Sequence, residues 1–541
     1  MQLIDCQAII VPQKTPDARN KTHYFLAPPL SGSYLCLIRI PQTTIIRYIK
    51  VRLSLIILLS LTLTLTGHVL SAQQMTMSEA IAEARNGSVQ ALEAKQSFTS
   101  SYWAWRAYRA SRLPSLYLYG NVGNFNRSLA LLQSPDDGSM RYVSSFHMQN
   151  AIGMQARQNI TFTGGTLYVY TDLNRIDQFG TGSQVTWYSQ PVTISYEQPL
   201  FTYNQFKWDK LIEPKEYEKG RRKYVESMEQ ISLNAVTAWF NLLKAKQNET
   251  FAHSNFDNDS SMRAIARERL KLGTVTRDEY LQLELRVLND SIALNERAVN
   301  VREAQMELNS LLGYDESTEI IPVLEEDLPD IRVDYDLVLE KALTHSQFSL
   351  NNEISLLEAR SAVEKARAQR GITMGFNARF GLSKSGPTLI DAYLKPLDQE
   401  VFGLSFSVPI FDWGQARGRI EKAKAAEEVV KAQVQQDEND FRRKIFTAVG
   451  QFNNQRQQCE ASRRAVTIAA ERYALVMDKF RTGSATVLEL NTARSENDTA
   501  RTQHLSDLSN FWIYYYNLRL YTLYDFLAGE DILIDENQLI R

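Results

Sequence analysis

Glu279 and Glu489 each stand six residues beyond a glycine, Gly273 and Gly483. Carboxylates repeated at one spacing can attract cations and repel anions, which is binding chemistry. The groups that could do more are dispersed. The six histidines (His23, His68, His147, His253, His345 and His504) form no HExxH, and none has a second histidine within five residues. Of the three cysteines, Cys6 and Cys36 lie near the start and only Cys459 lies further on, so no Cys/Cys metal motif exists. There is also no glycine-rich phosphate loop and no GxSxG. The reading is a protein without metal or cofactor, not an enzyme. With 60 Lys+Arg against 62 Asp+Glu it is no basic nucleic-acid binder either.

The elements that must carry these glutamates are duplicated. Residues 78–88 match 336–346 in apolar pattern at an offset of 258, and each opens a helical stretch ending near Pro114 or Gly371. Gln198-Pro199-Leu200-Phe201 matches Val408-Pro409-Ile410-Phe411, and Lys271-Leu272-Gly273-Thr274 matches Arg481-Thr482-Gly483-Ser484, both at an offset of 210. The first half therefore holds 48 extra residues between Pro114 and Pro199.

Within each half the hydrophobic period changes from helix to strand and back. Residues 372–382 alternate without a slip, Ile372, Met374, Phe376, Ala378, Phe380 and Leu382 opposing Thr373, Gly375, Asn377, Arg379 and Gly381. Residues 402–410 do the same. Strands of about 9–11 residues with one apolar and one small or polar face suit a membrane barrel. Residues 414 to about 481 then lack proline and carry a three-four apolar ladder through Phe452, Cys459, Tyr473, Met477 and Phe480. This predicts a helix roughly 100 Å long. Its counterpart runs from about Gln205 to Leu272. Reversals at Gly273 and Gly483 lead into return helices over about 276–312 and 486–525.

At the other extreme of the chain, Leu53 to Leu65 is an apolar run of 13 residues after Arg47, Lys50 and Arg52. That is too short to span a bilayer and reads as a secretory signal peptide cleaved near Ala72, so that the mature chain begins close to Gln73. Residues 1–44 are a doubtful prefix to it. The expected division is 1–72 prefix and signal, 73–325 first repeat (strands about 115–200, helices 205–312), 326–525 second repeat (strands 372–411, helices 414–525), and 526–541 a tail.

Four or six strands cannot surround water, and edges open to lipid are not tolerated. Several copies must therefore share one barrel, with the helices packed as coiled-coil pairs in the periplasm.

This layout, the QPLF and VPIFDWGQARGRI junctions, and the KLGTVTRDEYLQLE and FRTGSATVLELNTA reversals resemble TolC-type outer-membrane efflux and secretion ducts over about residues 73–525. The resemblance implies a mainly α protein with a transmembrane β-barrel shared by a homotrimer, continued by a helical tunnel in the periplasm. It also implies docking onto a periplasmic adaptor and an inner-membrane transporter of the RND or ABC type, for export of small molecules or proteins. Gly273, Thr274, Val275, Gly483, Ser484 and Ala485 match the tips where adaptor hairpins dock. Glu279, Glu489 and Phe480 fall at the periplasmic entrance. The family's second acidic position is Thr492 here, and a tip arginine that latches some members closed is Ala485. A stand-alone trimeric channel, or a coiled-coil tether without a pump, is the alternative.

Two further expectations concern the sheet. Residues 150–173 alternate as a strand pair, so six strands per copy would give an 18-stranded barrel in place of the family's 12, or a hairpin leaving the wall. Aromatics at strand ends (Tyr117, Tyr119, Trp187, Tyr188, Phe201, Tyr203, Phe411, Trp413) suit interface girdles. The run Phe511 to Tyr516 suits helix–helix packing.

Overall fold

The computed structural model describes residues 73–541 apart from 134–137, 181, 325–326, 533–538 and 540–541. The signal-peptide expectation lies outside the described residues. Contacts divide the chain at Val69, and every described element belongs to the unit from Leu70 to Arg541.

In chain order the elements are β1 (Gln73–Thr76), α1 (Met77–Gly87), α2 (Val89–Ser111), β2 (Ser115–Gln133), β3 (Met140–Ile160), β4 (Gly165–Gln178), β5 (Gln184–Leu200), α3 (Gln205–Lys271) and α4 (Arg277–Leu312). They are followed by β6 (Ile320–Val323), α5 (Tyr335–His345), α6 (Gln347–Ala368), β7 (Thr373–Gly386), β8 (Leu397–Ser407), α7 (Gln415–Thr482) and α8 (Val487–Thr522), and then the short β9 (Tyr524–Asp525) and β10 (Glu530–Asp531). Residues 150–173 fall in β3, a turn, and β4.

Helices α3 and α7 have 67 and 68 residues, and their apolar stripes supply most of the cohesion. Along α3, Met228, Ile231, Ala235, Ala238, Trp239 and Leu242 are buried, following the three-four ladder. They meet Ile445, Val449 and Phe452 from α7 and Leu508, Phe511, Tyr515 and Leu518 from α8 in one core. The aromatic run near the end of α8 is thus packing: the rings of Phe511 and Tyr515 lie 5.3 and 6.1 Å from that of Phe452. Strands β1 and β6 pair in parallel, tying the first repeat to the segment before the second. Trp239 Nε1 donates to the Met75 carbonyl at 3.1 Å, anchoring β1 on that core.

Strands β2, β3, β4, β5, β7 and β8 form one six-stranded sheet in that order, antiparallel throughout. β2 and β7 follow α2 and α6, while β5 and β8 lead into α3 and α7. One end of the sheet therefore carries all the helices.

Candidate functional site

The sheet inverts the usual distribution of polarity. Cross-strand partners point to the same face, so the ladder assigns sides. One face carries Leu116, Leu118, Ile152, Met154, Val169, Ile194, Phe380, Phe402, Leu404 and Phe406, all between 41% and 71% exposed. The other carries Gln155, Arg157, Tyr168, Tyr170, Asn377 and Arg379, with Thr193 and Ser195 at 0% and 6% exposure. Apolar residues in the open and polar ones sheltered would be unfavourable in water over so large a patch. They suit a surface that meets lipid outside and water within. Phe201, Phe411 and Trp413, at the helical end, are 70–89% exposed, in keeping with a girdle.

At the far end of the helices the two reversals are built alike. Gly273 and Gly483 adopt φ of +74° and +86°, a conformation that costs an L side chain, which is why glycine closes both helices. The next N–H folds back in each case: Thr274 to the Arg269 carbonyl at 3.0 Å, Ser484 to the Lys479 carbonyl at 2.8 Å. Thr276 and Thr486 then cap α4 and α8, and the partners in those capping boxes are Glu279 and Glu489. Glu279 Oε2 accepts from the Thr276 N–H at 2.9 Å and from its hydroxyl at 3.0 Å. Glu489 Oε2 does the same with Thr486 at 2.8 and 3.0 Å. These bonds hold the Glu489 carboxyl below its ordinary range, the backbone N–H contributing most. The spacing read as an entrance charge is thus also a helix-start signature, Thr-x-x-Glu.

Of the expected tip residues, Gly273, Thr274, Gly483 and Ser484 are exposed, Val275 is half-buried, and Ala485 packs on the cluster beneath. Phe480 packs inward. It is 4% exposed among Met262, Ala266, Leu283, Met477, Val487 and Leu490 of its own chain. Thr492 donates to the Leu488 carbonyl of its own helix at 3.0 Å.

Two features were not anticipated. Arg269 bridges the two tips, donating from Nη1 to the Phe480 carbonyl at 3.2 Å and from Nη2 to the Arg481 carbonyl at 2.7 Å. A cation on the open carbonyls of α7 also complements its helix dipole. Further along, Arg494 is 8% exposed and joins three helices. It pairs with Asp259 on α3, with Asp290 on α4 through Nη2 at 3.0 Å, and with Asp498 on its own helix at 3.7 Å. Arg286 adds a contact to Asp259 at 2.8 Å. Burial lifts the Asp259 carboxyl above its usual range, against the pull of Arg494. A second buried cluster centres on Glu229, fully buried and bound by Arg519 at 2.8 Å and Arg85 at 2.9 Å. Among the described residues no group of His, Cys, Asp and Glu is arranged to hold a metal ion.

Residues 339–521 match the family model described as outer membrane efflux protein. The structure is similar to the outer membrane protein VceC of Vibrio cholerae, at 14% identity and TM-score 0.58 over 84% of this chain and 96% of that one. It is similar to the Campylobacter jejuni CmeC outer membrane channel, at 13% identity and TM-score 0.59 over 86% and 88%. It also resembles the open state of the Neisseria gonorrhoeae MtrE outer membrane channel, at 15% and 0.52 over 85% and 91%. No curated protein matches the sequence. At these identities the likenesses establish the fold, and the family match over residues 339–521 agrees with it. Together they bear out the resemblance read from the sequence and its outer-membrane location.

Proposed function

Because residues 339–521 match an outer membrane efflux protein domain, we propose that the chain is one copy of a trimeric export duct. The six-stranded sheets of three copies form a shared barrel, and helices α3, α4, α7 and α8 continue the conduit into the periplasm. There the tips at Gly273–Val275 and Gly483–Ala485 receive a periplasmic adaptor, which links the duct to an inner-membrane transporter of the RND or ABC type. Small molecules or proteins pass outward. The observation that carries this reading is the inverted sheet, apolar where exposed and polar where sheltered, joined at one end to two long helical hairpins.

The helices support a partner of the same kind. On α4 the residues Leu281, Leu285, Leu288, Ile292 and Val299 are 46–65% exposed at alternating steps of four and three, then seven. That is the seam of a coiled coil awaiting a helix. On α7, Ile468 and Leu475 are exposed seven residues apart. The other end of the pathway would be set by Glu279 and Glu489, six carboxylates in three copies, which would favour cations at the entrance.

The test separates charge from fold. Glutamine can also complete a capping box, so the double variant Glu279→Gln, Glu489→Gln keeps the tips while removing the charge. In planar bilayers the native protein should open discrete, cation-selective channels blocked by multivalent cations. The variant should conduct with weaker block and lower cation selectivity. Unchanged selectivity and block would remove the two glutamates from the entrance, and absence of any channel from the native protein would end the duct reading.

A further inference from the structure

The wall of the channel can be taken further, on the reading of the chain as one copy of a shared barrel. The β3–β4 hairpin is not an appendage. β3 is hydrogen-bonded to β2 along its length and β4 to β5, so all six strands belong to one continuous wall. The sheet ends at β2 and β8, and its exposed apolar band runs out to both. Leu116 and Leu118 stand on one edge and Phe402, Leu404 and Phe406 on the other. Unpaired backbone groups cannot be left there in hydrocarbon. Six alternating strands also make the two edges run in opposite directions, so β8 of one copy meets β2 of the next in the antiparallel sense of every other pair.

We propose that β2 pairs with β8 of a second copy, Leu116 opposite Phe406, and that three copies so joined close a barrel of 18 strands. The register follows from the sheet itself. One row of partners crosses it from Leu116 through Ala156, Val169, Ile194 and Phe380 to Glu400. β2 follows α2 and β8 leads to α7, so the start of one and the end of the other belong at one level. Moving the next copy's Leu116 from Glu400 to Phe406 achieves this with a shift of six residues across six strands. At about 3.3 Å per residue and about 4.8 Å per strand, that inclines the strands by about 35° to the barrel axis, at the edge of the typical ~35–45°. The shift must be even to keep lipid-facing side chains together. A shift of four gives only about 25°, and eight runs beyond Ser407, where β8 ends. An 18-stranded wall at this tilt is about 34 Å across between backbones, wide enough for an aqueous channel.

This register places Tyr117 opposite Ser405 on the polar side. The full-length protein carrying Tyr117→Cys and Ser405→Cys, purified from outer membranes and oxidised, should run on a non-reducing gel as a covalent ladder ending at three copies. Neither single variant should do so. A second double variant, Tyr168→Cys with Ser405→Cys, reports a narrower wall, because β4 would border the neighbouring β8 if only β4, β5, β7 and β8 enclosed the channel. Cross-linking through Tyr168 and not Tyr117 would overturn the 18-stranded wall and leave the shared barrel standing. A ladder from neither pair in a protein that still forms trimers and conducts would overturn the seam alone. No ladder in a monomer that does not conduct would overturn the duct reading as well.

Discussion

Helix α4 leaves Leu285, Leu288 and Ile292 about 60% exposed, whereas its repeat counterpart α8 buries Val487, Leu490, Leu508 and Phe511 at 1–4%. The two helices begin with the same capping box after the same kind of glycine reversal. What differs is their surroundings: α8 lies against both α7 and α3, while α4 has α3 as its principal neighbour. Duplication preserved the turns, which are local, and packing then specialised the faces. At the offset of 210, α8 carries the polar Ser495, Asp498 and Thr502 where α4 exposes Leu285, Leu288 and Ile292.

The buried charge on α8 gives the sharpest contrast. Arg494 corresponds, at the offset of 210, to Glu284 on α4, which is only half-buried. Replacing Arg494 by alanine strips Asp290 of its cation and leaves Asp259 with Arg286 alone, and breaking a buried pair in this way costs about 3–5 kcal/mol. Glu284→Ala should cost less than about 0.5 kcal/mol. Denaturant midpoints of the solubilised protein, read from the helical circular dichroism signal, compare the two. Equal midpoints would mean that the Arg494 cluster is solvated and the two repeats are energetically alike.

The Arg494 cluster also marks where reading the sequence stops. Its partners Asp259 and Asp290 lie 235 and 204 positions away, and nothing local to any of them announces the pairing. The helices, strands and reversals are legible because each is written in a short period or in a single glycine. The ladder through Tyr473, Met477 and Phe480 is legible as an apolar stripe, but not which way it faces. A stripe on a long helix says that something covers it. Only the neighbouring Met262, Leu283 and Leu490 show that the cover comes from the same chain. The capping boxes are written plainly as Thr-x-x-Glu, yet the same glutamates also fit a ring of charge, and spacing alone does not separate the two roles.

The glycines themselves should make the repeats equal again. Alanine at Gly273 or Gly483 must hold a positive φ, at about 1–2 kcal/mol in each case. Space does not separate them: a methyl at Gly273 meets nothing within 4 Å, and one at Gly483 meets Arg269 at an ordinary 3.7 Å. The two single variants should therefore shift the denaturant midpoint alike. A clearly larger loss at Gly483 would show that displacing Arg269 from the carbonyls of α7 costs more than the backbone does.

The smallest expected effect is local to the second tip. Glu489 has its carboxyl pKa lowered in the folded state by the Thr486 N–H and hydroxyl. A lowered folded value means that the cap is at full strength above the ordinary carboxylate pKa of about 4.3. It is lost as pH falls through the still lower folded value, when the protonated acid no longer accepts both bonds. A nitroxide on Ser484→Cys should thus be held steady from pH 7 to about 5 and loosen only in stronger acid. Adding Thr486→Ala removes the hydroxyl from both sides of the box, so the label should be looser at neutral pH and its acid response flattened. If the label titrates identically with and without Thr486, the motion belongs to other carboxylates. The six-residue spacing between Gly483 and Glu489 would then have to be explained by the entrance alone.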